Sequence, residues 1–150
     1  MSTKFSQQSQ LSELLNRVDG YANLDVVAKL KIEFNISQWE AGLLFYDVKR
    51  FLFLRATQEG VWSPPPKIDD GWHEFILFTK DYTDFCKLFF SRFIHHSPAR
   101  INAKPKIGAV EVTIERAKVL YGRLSLNWDN PKKIQVSSCN CACGSCSCGF

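Results

Sequence analysis

The sequence predicts an all-α protein: a single compact helical domain of about six helices, followed by a flexible cysteine-rich C-terminal tail. Three observations carry that expectation. Apolar residues recur at spacings of three, four and seven along most of the chain, which is the period of a helix face. The boundaries between these stretches carry helix caps rather than hairpin turns. Five of the six cysteines fall between positions 139 and 148, outside any such pattern. The expected division is a flexible N-terminus over 1–9, a helical domain over 10–130, and a linker with the tail over 131–150. A chain of 150 residues buries roughly 68–70% of its unfolded surface on folding, enough for a real core.

Taken in order, Leu11, Leu14, Leu15 and Val18 mark a short amphipathic helix that Gly20 terminates. Over 24–34, Val27, Leu30 and Phe34 share one side, and Asn23 is placed to cap it. Ser37 and Glu40 stand three apart at the head of an apolar run, the spacing of a capping box. The helix they open runs to about residue 58. Phe45, Val48 and Leu52 share one face of it, while Leu43, Leu44, Phe51, Phe53 and Leu54 spread the apolar surface widely. Such a helix is central and covered on several sides.

Gly60 is a natural stop, and Pro64, Pro65 and Pro66 stiffen the approach to the next helix and keep the chain that precedes them out of helix. Trp72, Phe75, Ile76 and Thr79 line a shorter helix that Asp69 or Asp70 can cap. Tyr82, Phe85, Cys86, Phe89 and Phe93 form the stripe of the next, with Thr79 as its cap and Asp81 in its first turn. The spacing predicts a helix over 80–94, ended by Pro98. Residues 97–106 read as a basic loop carrying Arg100, Lys104 and Lys106, either a solvated connection or a contact for anions or nucleic acid. Val110, Ile114, Ala117 and Tyr121 predict a helix over 107–121 with Gly122 at its end. Leu124, Leu126 and Trp128 then alternate with polar residues as a short extended segment would.

The stretch 68–98 holds all three histidines and the only cysteine outside the tail. On a helix Asp69 lies one turn before His73, where a carboxylate can accept from one ring nitrogen and leave the other free as base or ligand. Two readings of His73 stay open: a core histidine satisfied by Asp69 or Asp70, and a functional group oriented by Asp69. Cys86 and His96 are ten residues apart, ~15 Å along a straight helix, too far for one ion. A metal site in this stretch therefore needs His73 with His95 or His96, and leaves Cys86 as packing.

The run Asp69-x-x-Trp72-His73-x-x-Ile76-Leu77-x-Thr79-x-x-Tyr82-x-x-Phe85-Cys86, followed by Phe93-Ile94-His95-His96-x-Pro98, resembles the signature of the glycine-rich domain-containing protein-like family. The likeness extends over about 38–128 and takes in Phe51-Leu52, Thr113 and Tyr121-Gly122. Ser91-Arg92 stands where that family carries a glycine. The resemblance implies a helical domain with Asp69, Trp72, His73, Tyr82, Cys86 and His96 at the motif positions, and it implies no reaction.

In the tail, Cys139, Cys141, Cys143, Cys146 and Cys148 put five thiols into ten residues. Thiolates at this spacing suit Zn(II), which takes four in a closed tetrahedral site, or Cu(I), which takes two or three or forms a cluster. The pattern resembles the Cys-x-Cys repeats of metallothioneins. A reduced, redox-modifiable tail and a segment without chemistry are the competing readings.

The net charge of +4 is mild, well short of a concentrated nucleic-acid patch. The N-terminus has no apolar secretory core and no uncharged run reaches the ~20 residues that span a bilayer, so the expectation is a soluble cytoplasmic protein without a membrane partner. The preferred function is a soft-metal-binding protein, Zn or Cu(I) held by the tail cysteines, with the helical domain as scaffold or docking surface for a protein partner. The alternatives are an interaction module for protein or RNA, and an enzyme using Asp69 and His73. No nucleophile motif, phosphate loop or paired carboxylate supports the enzyme.

Overall fold

The structure, a computed structural model, describes residues 2–98 and 107–131, with side chains from residue 6 onward. Among the described residues are six α-helices and one short 3-10 turn, and no strand. The all-α expectation holds. The helices are α1 (Ser2–Gly20), α2 (Leu24–Phe34), α3 (Gln38–Thr57), α4 (Pro66–Leu77), α5 (Thr79–Phe90) and α6 (Ala109–Tyr121), and the turn covers Leu126–Trp128. None of the helices is long and apolar enough to cross a membrane. The tail cysteines and most of the basic loop, with Arg100, Lys104 and Lys106, lie outside the described residues.

The long helix α3 is the hub. It packs against α1, α2, α4 and the 3-10 turn, and Leu44, Phe45, Val48, Phe51, Leu52, Phe53 and Leu54 are all buried on it. Its wide apolar circumference requires neighbours on several sides, as the sequence pattern implied. Its start is fixed by the capping box: Ser37 Oγ accepts from the Glu40 amide at 3.2 Å, and Glu40 Oε2 accepts from the Ser37 amide at 2.8 Å. At the head of α2, the Asn23 side chain accepts from the Val26 amide at 3.1 Å. One aromatic cluster joins the elements, with Tyr21 set edge-on to Phe45, Phe85 and Phe89.

Two polar residues of α3 are buried, and each ties down a neighbouring segment. Asp47 accepts from Ser125 Oγ at 2.6 Å, Asn127 Nδ2 at 2.8 Å and Trp128 Nε1 at 3.0 Å. Lys49 donates to the carbonyls of Asp19 and Tyr21, closing the C-terminal end of α1. Burial pushes the Lys49 ammonium down to about 8.

The structure corrects several sequence expectations. The segment at 126–128 is a 3-10 turn rather than extended, because Ser125 caps it through the Asn127 amide. α1 begins at Ser2, well before the apolar run that starts at Leu11. Neither Asp69 nor Asp70 caps α4. That helix starts at Pro66, a proline at the first helical position where its missing amide proton is not needed, and Asp69 falls in the first turn. Thr79 does not cap α5 either, since it is already helical, and its hydroxyl plays no capping role. α5 stops at Phe90 instead of about residue 94. Ser91 adopts a left-handed conformation with φ of 56° and ends the helix there. Phe93, expected on the buried stripe, is consequently exposed at 38%.

The crossing of α3 and α4 is close because Gly71 sits in it. A Cβ at Gly71 would stand 2.9 Å from Val48 Cγ2 and 3.1 Å from Leu44 Cγ. This glycine lies midway between Asp69 and His73, so the same close crossing sets where those side chains emerge.

Candidate metal centre beside a cavity

Two elements build the site. α4 contributes Asp69 and His73 one turn apart, and the irregular segment 92–98 contributes His96. Because α5 ends at Ser91, the chain turns back over α4 instead of continuing away from it. Ile94 is buried at 3% exposure, and its carbonyl accepts from the Tyr82 hydroxyl at 2.6 Å. That hydroxyl in turn accepts from Trp72 Nε1 at 3.0 Å. A continuous buried chain thus runs from α4 through α5 to the segment that carries His96. Burial raises the Tyr82 phenol above its ordinary range and holds it protonated.

His96 Nε2 lies 2.8 Å from Asp69 Oδ1, and His73 Nδ1 lies 3.8 Å from Asp69 Oδ2. One donor atom from each of Asp69, His73 and His96 falls within 4.8 Å of the other two. The imidazoles face each other with centroids 4.2 Å apart, and His96 packs on the Trp72 indole at 4.4 Å. The set is graded in exposure: the His96 side chain is 13% exposed, Asp69 33% and His73 47%. His73 is not a core histidine, and the more buried ring belongs to His96.

His95 is not part of this group. It is exposed and its ring rests on Phe93 at 4.7 Å. Burial alternates here, with Ile94 buried, His95 exposed and His96 half-buried, so of the pair only His96 is turned to α4. Cys86 is fully buried and its thiol is pushed up by burial, as expected of packing. The sequence-level set of His73, His95 and His96 thus becomes Asp69, His73 and His96, with the carboxylate in the middle rather than beside one imidazole.

Asp69 and His96 also line a cavity of about 980 Å³ between the C-terminal end of α3, the segment 92–98 and the start of α6. Arg55 and Arg92 stand on its wall. Arg55 donates to the His95 carbonyl at 3.1 Å and lies over the Trp72 ring at 5.2 Å. Arg92 donates to the Ala56 carbonyl at 3.1 Å. The Arg55 guanidinium is lowered, first by burial and then by the charge of Arg92. Sequence reading passed over both arginines; the available signal was a cation at position 55 inside the apolar run of α3.

A family model described as UCP032817-like matches residues 21–123. The chain belongs to the UCP032817-like family. The matched range covers α2 to α6 and includes Asp69, His73, His96, Arg55 and Arg92, but not the tail. No curated protein and no solved structure matches the chain. The resemblance to the glycine-rich domain-containing protein-like family is thereby corrected. The motif on which it stood has a physical origin in this fold: Trp72, Tyr82 and Cys86 pack between α4 and α5, and the Tyr82 hydroxyl holds the segment leading to His96. Membership in the UCP032817-like family carries no metal or reaction with it.

Proposed function

We propose that this protein binds a divalent transition metal through Asp69, His73 and His96, with the metal's remaining positions turned toward the adjoining cavity. The observation that supports it is the convergence of two imidazoles and a carboxylate, from two separate elements, within 4.8 Å. Imidazole and carboxylate donors suit Zn(II) and Fe(II), and three protein ligands leave room for water or a small molecule. The sequence-level preference for metal binding is kept in this reading, but the weight moves from the tail to the helical domain. The tail cysteines remain a separate soft donor set for Zn(II) or Cu(I).

Serine substitution of Cys139, Cys141, Cys143, Cys146 and Cys148 separates the two sets. Zinc and Fe(II) titrations of that variant, followed by elemental analysis, are expected to give one equivalent of metal. His96→Ala and Asp69→Ala, placed on the same background, are expected to weaken binding by more than the roughly 10–100-fold that an outer partner costs. A serine variant that takes up neither metal removes the proposal for the domain. The extra metal held by the unmodified chain measures what the tail itself binds.

A second reading rests on the 2.8 Å contact between His96 Nε2 and Asp69 Oδ1. A carboxylate that orients an imidazole is the pair a general base requires. In that reading His96, rather than His73, is the base, and the metal titrations return nothing while the cavity still binds its ligand.

A further inference from the structure

Around the Trp72 indole the structure gathers an imidazole and a guanidinium. His96 packs on the indole at 4.4 Å and Arg55 lies over it at 5.2 Å. One aromatic ring therefore fixes the candidate metal ligand and a guanidinium side by side on the same cavity. Arg92 joins from the turn after α5, and the Arg55 guanidinium feels its charge. Each arginine gives one terminal nitrogen to a carbonyl, His95 for Arg55 and Ala56 for Arg92. A guanidinium has five N–H donors, so most of each fork is left over. Among the described residues no carboxylate lies within ion-pairing distance of either arginine. The cavity's own carboxylates are Asp69, which is engaged by His96, and Glu59, which is exposed.

Two neighbouring guanidiniums without a carboxylate repel one another, and burial of Arg55 makes that arrangement costlier. An oxyanion relieves it, because the guanidinium fork presents paired N–H donors that match two oxygens of a phosphate or a carboxylate. The cavity, at about 980 Å³, has the volume of a small-molecule site.

We propose that this cavity takes a small molecule with an oxyanion head, phosphate or carboxylate, held by Arg55 and Arg92 and reaching toward Asp69, His73 and His96. The proposal names the ligand class of the metal site and rests on that reading only for the inner contact. The arginine contact stands without the metal.

The test is a titration of the metal-free full chain with inorganic phosphate and, separately, with acetate, followed by backbone amide shifts. Saturable binding of either, with shifts in the segment 92–98 and the C-terminal turn of α3, is expected. Arg55→Met and Arg92→Met are each expected to weaken it by roughly tenfold or more, the scale of a charged hydrogen bond. Arg92 is exposed, so Arg92→Met keeps the test readable even where Arg55→Met disturbs folding. Phosphate binding alone assigns a phosphate head, and acetate binding alone a carboxylate head. Failure of both to saturate, or equal affinity in the variants, overturns the proposal. Zinc binding lost in His96→Ala together with no anion binding sinks this inference and leaves the metal site standing. Anion binding without any zinc uptake does the reverse.

Discussion

Replacing Tyr82 by phenylalanine isolates the link between the core and the site. The ring stays, so packing against Phe75 and Phe93 is kept. Only the hydroxyl goes. Its loss leaves Trp72 Nε1 and the Ile94 carbonyl without their partner, both in buried positions. A buried polar group left unpaired costs about 1–3 kcal/mol, so two of them, partly relaxed, cost roughly 2–4 kcal/mol. In a protein of this length that lowers Tm by roughly 5–15 °C. Urea unfolding with an unchanged slope is the cleaner assay, because it separates stability from a change in compactness. The same substitution releases the Ile94 carbonyl two residues before His96, and zinc affinity is expected to fall about tenfold, the effect of losing an outer support. A stability loss below about 0.5 kcal/mol refutes the buried chain from Trp72 to Ile94. A full stability loss with unchanged zinc affinity refutes the claim that this chain positions His96, and leaves the indole and Asp69 as its sole supports.

The other predictions concern the frame on which the site sits. Gly71→Ala brings a methyl group to within 2.9 Å of Val48. Overpacking at this crossing is expected to cost about 1–3 kcal/mol, offset in part by the better helix propensity of alanine, and to weaken metal binding by moving Asp69 and His73 together. A Gly71→Ala protein as stable as the parent by urea unfolding refutes the close crossing. For pH, Lys49 titrates at about 8 when folded against ~10.4 unfolded. Between these values the unfolded chain holds more protons, so stability rises with pH over that window and is lost as pH falls back through 8. Burial raises the phenols of Tyr82 and Tyr121, so above their ordinary value of ~10 the unfolded chain loses protons first and stability falls. Urea midpoints from pH 7 to 11 are expected to pass through a maximum near 10, and Lys49→Met is expected to flatten the rising side. A rise that survives in Lys49→Met assigns it to another group.

Periodicity and caps made most of the helical frame legible. The Ser37–Glu40 box, Asn23 ahead of α2 and the all-round apolar face of α3 are local signals, and each fixes a feature without help from distant residues. What escaped was decided by tertiary contact or by single backbone angles. Nothing local distinguishes Asp47, a carboxylate in an apolar run, from a surface residue. Its three donors come from Ser125, Asn127 and Trp128, far along the chain. Gly71 likewise looks like a weak point in a helix until Val48 and Leu44 are seen against it. The turn at 126–128 was misread because apolar alternation over so few residues fits an extended segment and a capped 3-10 turn alike.

The site was legible in its parts and not in its assembly, and one residue accounts for the difference. The pattern Tyr82, Phe85, Cys86, Phe89 and Phe93 continues at helical spacing past Ser91, and a helix carried on to Ile94 would hold His95 and His96 along the axis of α5. On that premise only one imidazole of the pair could come near His73, and neither had reason to be preferred. Ser91 at φ 56° breaks the premise. Once the chain leaves the helix there, burial of Ile94 and the bond from Tyr82 to its carbonyl fix the direction of the return, which leaves Ile94 and His96 on the inner side and His95 outward. Asp69 meets His96 because of that return, and the Arg92 side chain reaches the end of α3 because of the same turn. A substitution that restored the helix through position 91 would therefore disperse the imidazoles and the guanidiniums together, which makes the end of α5 the feature on which both the metal reading and the anion reading depend.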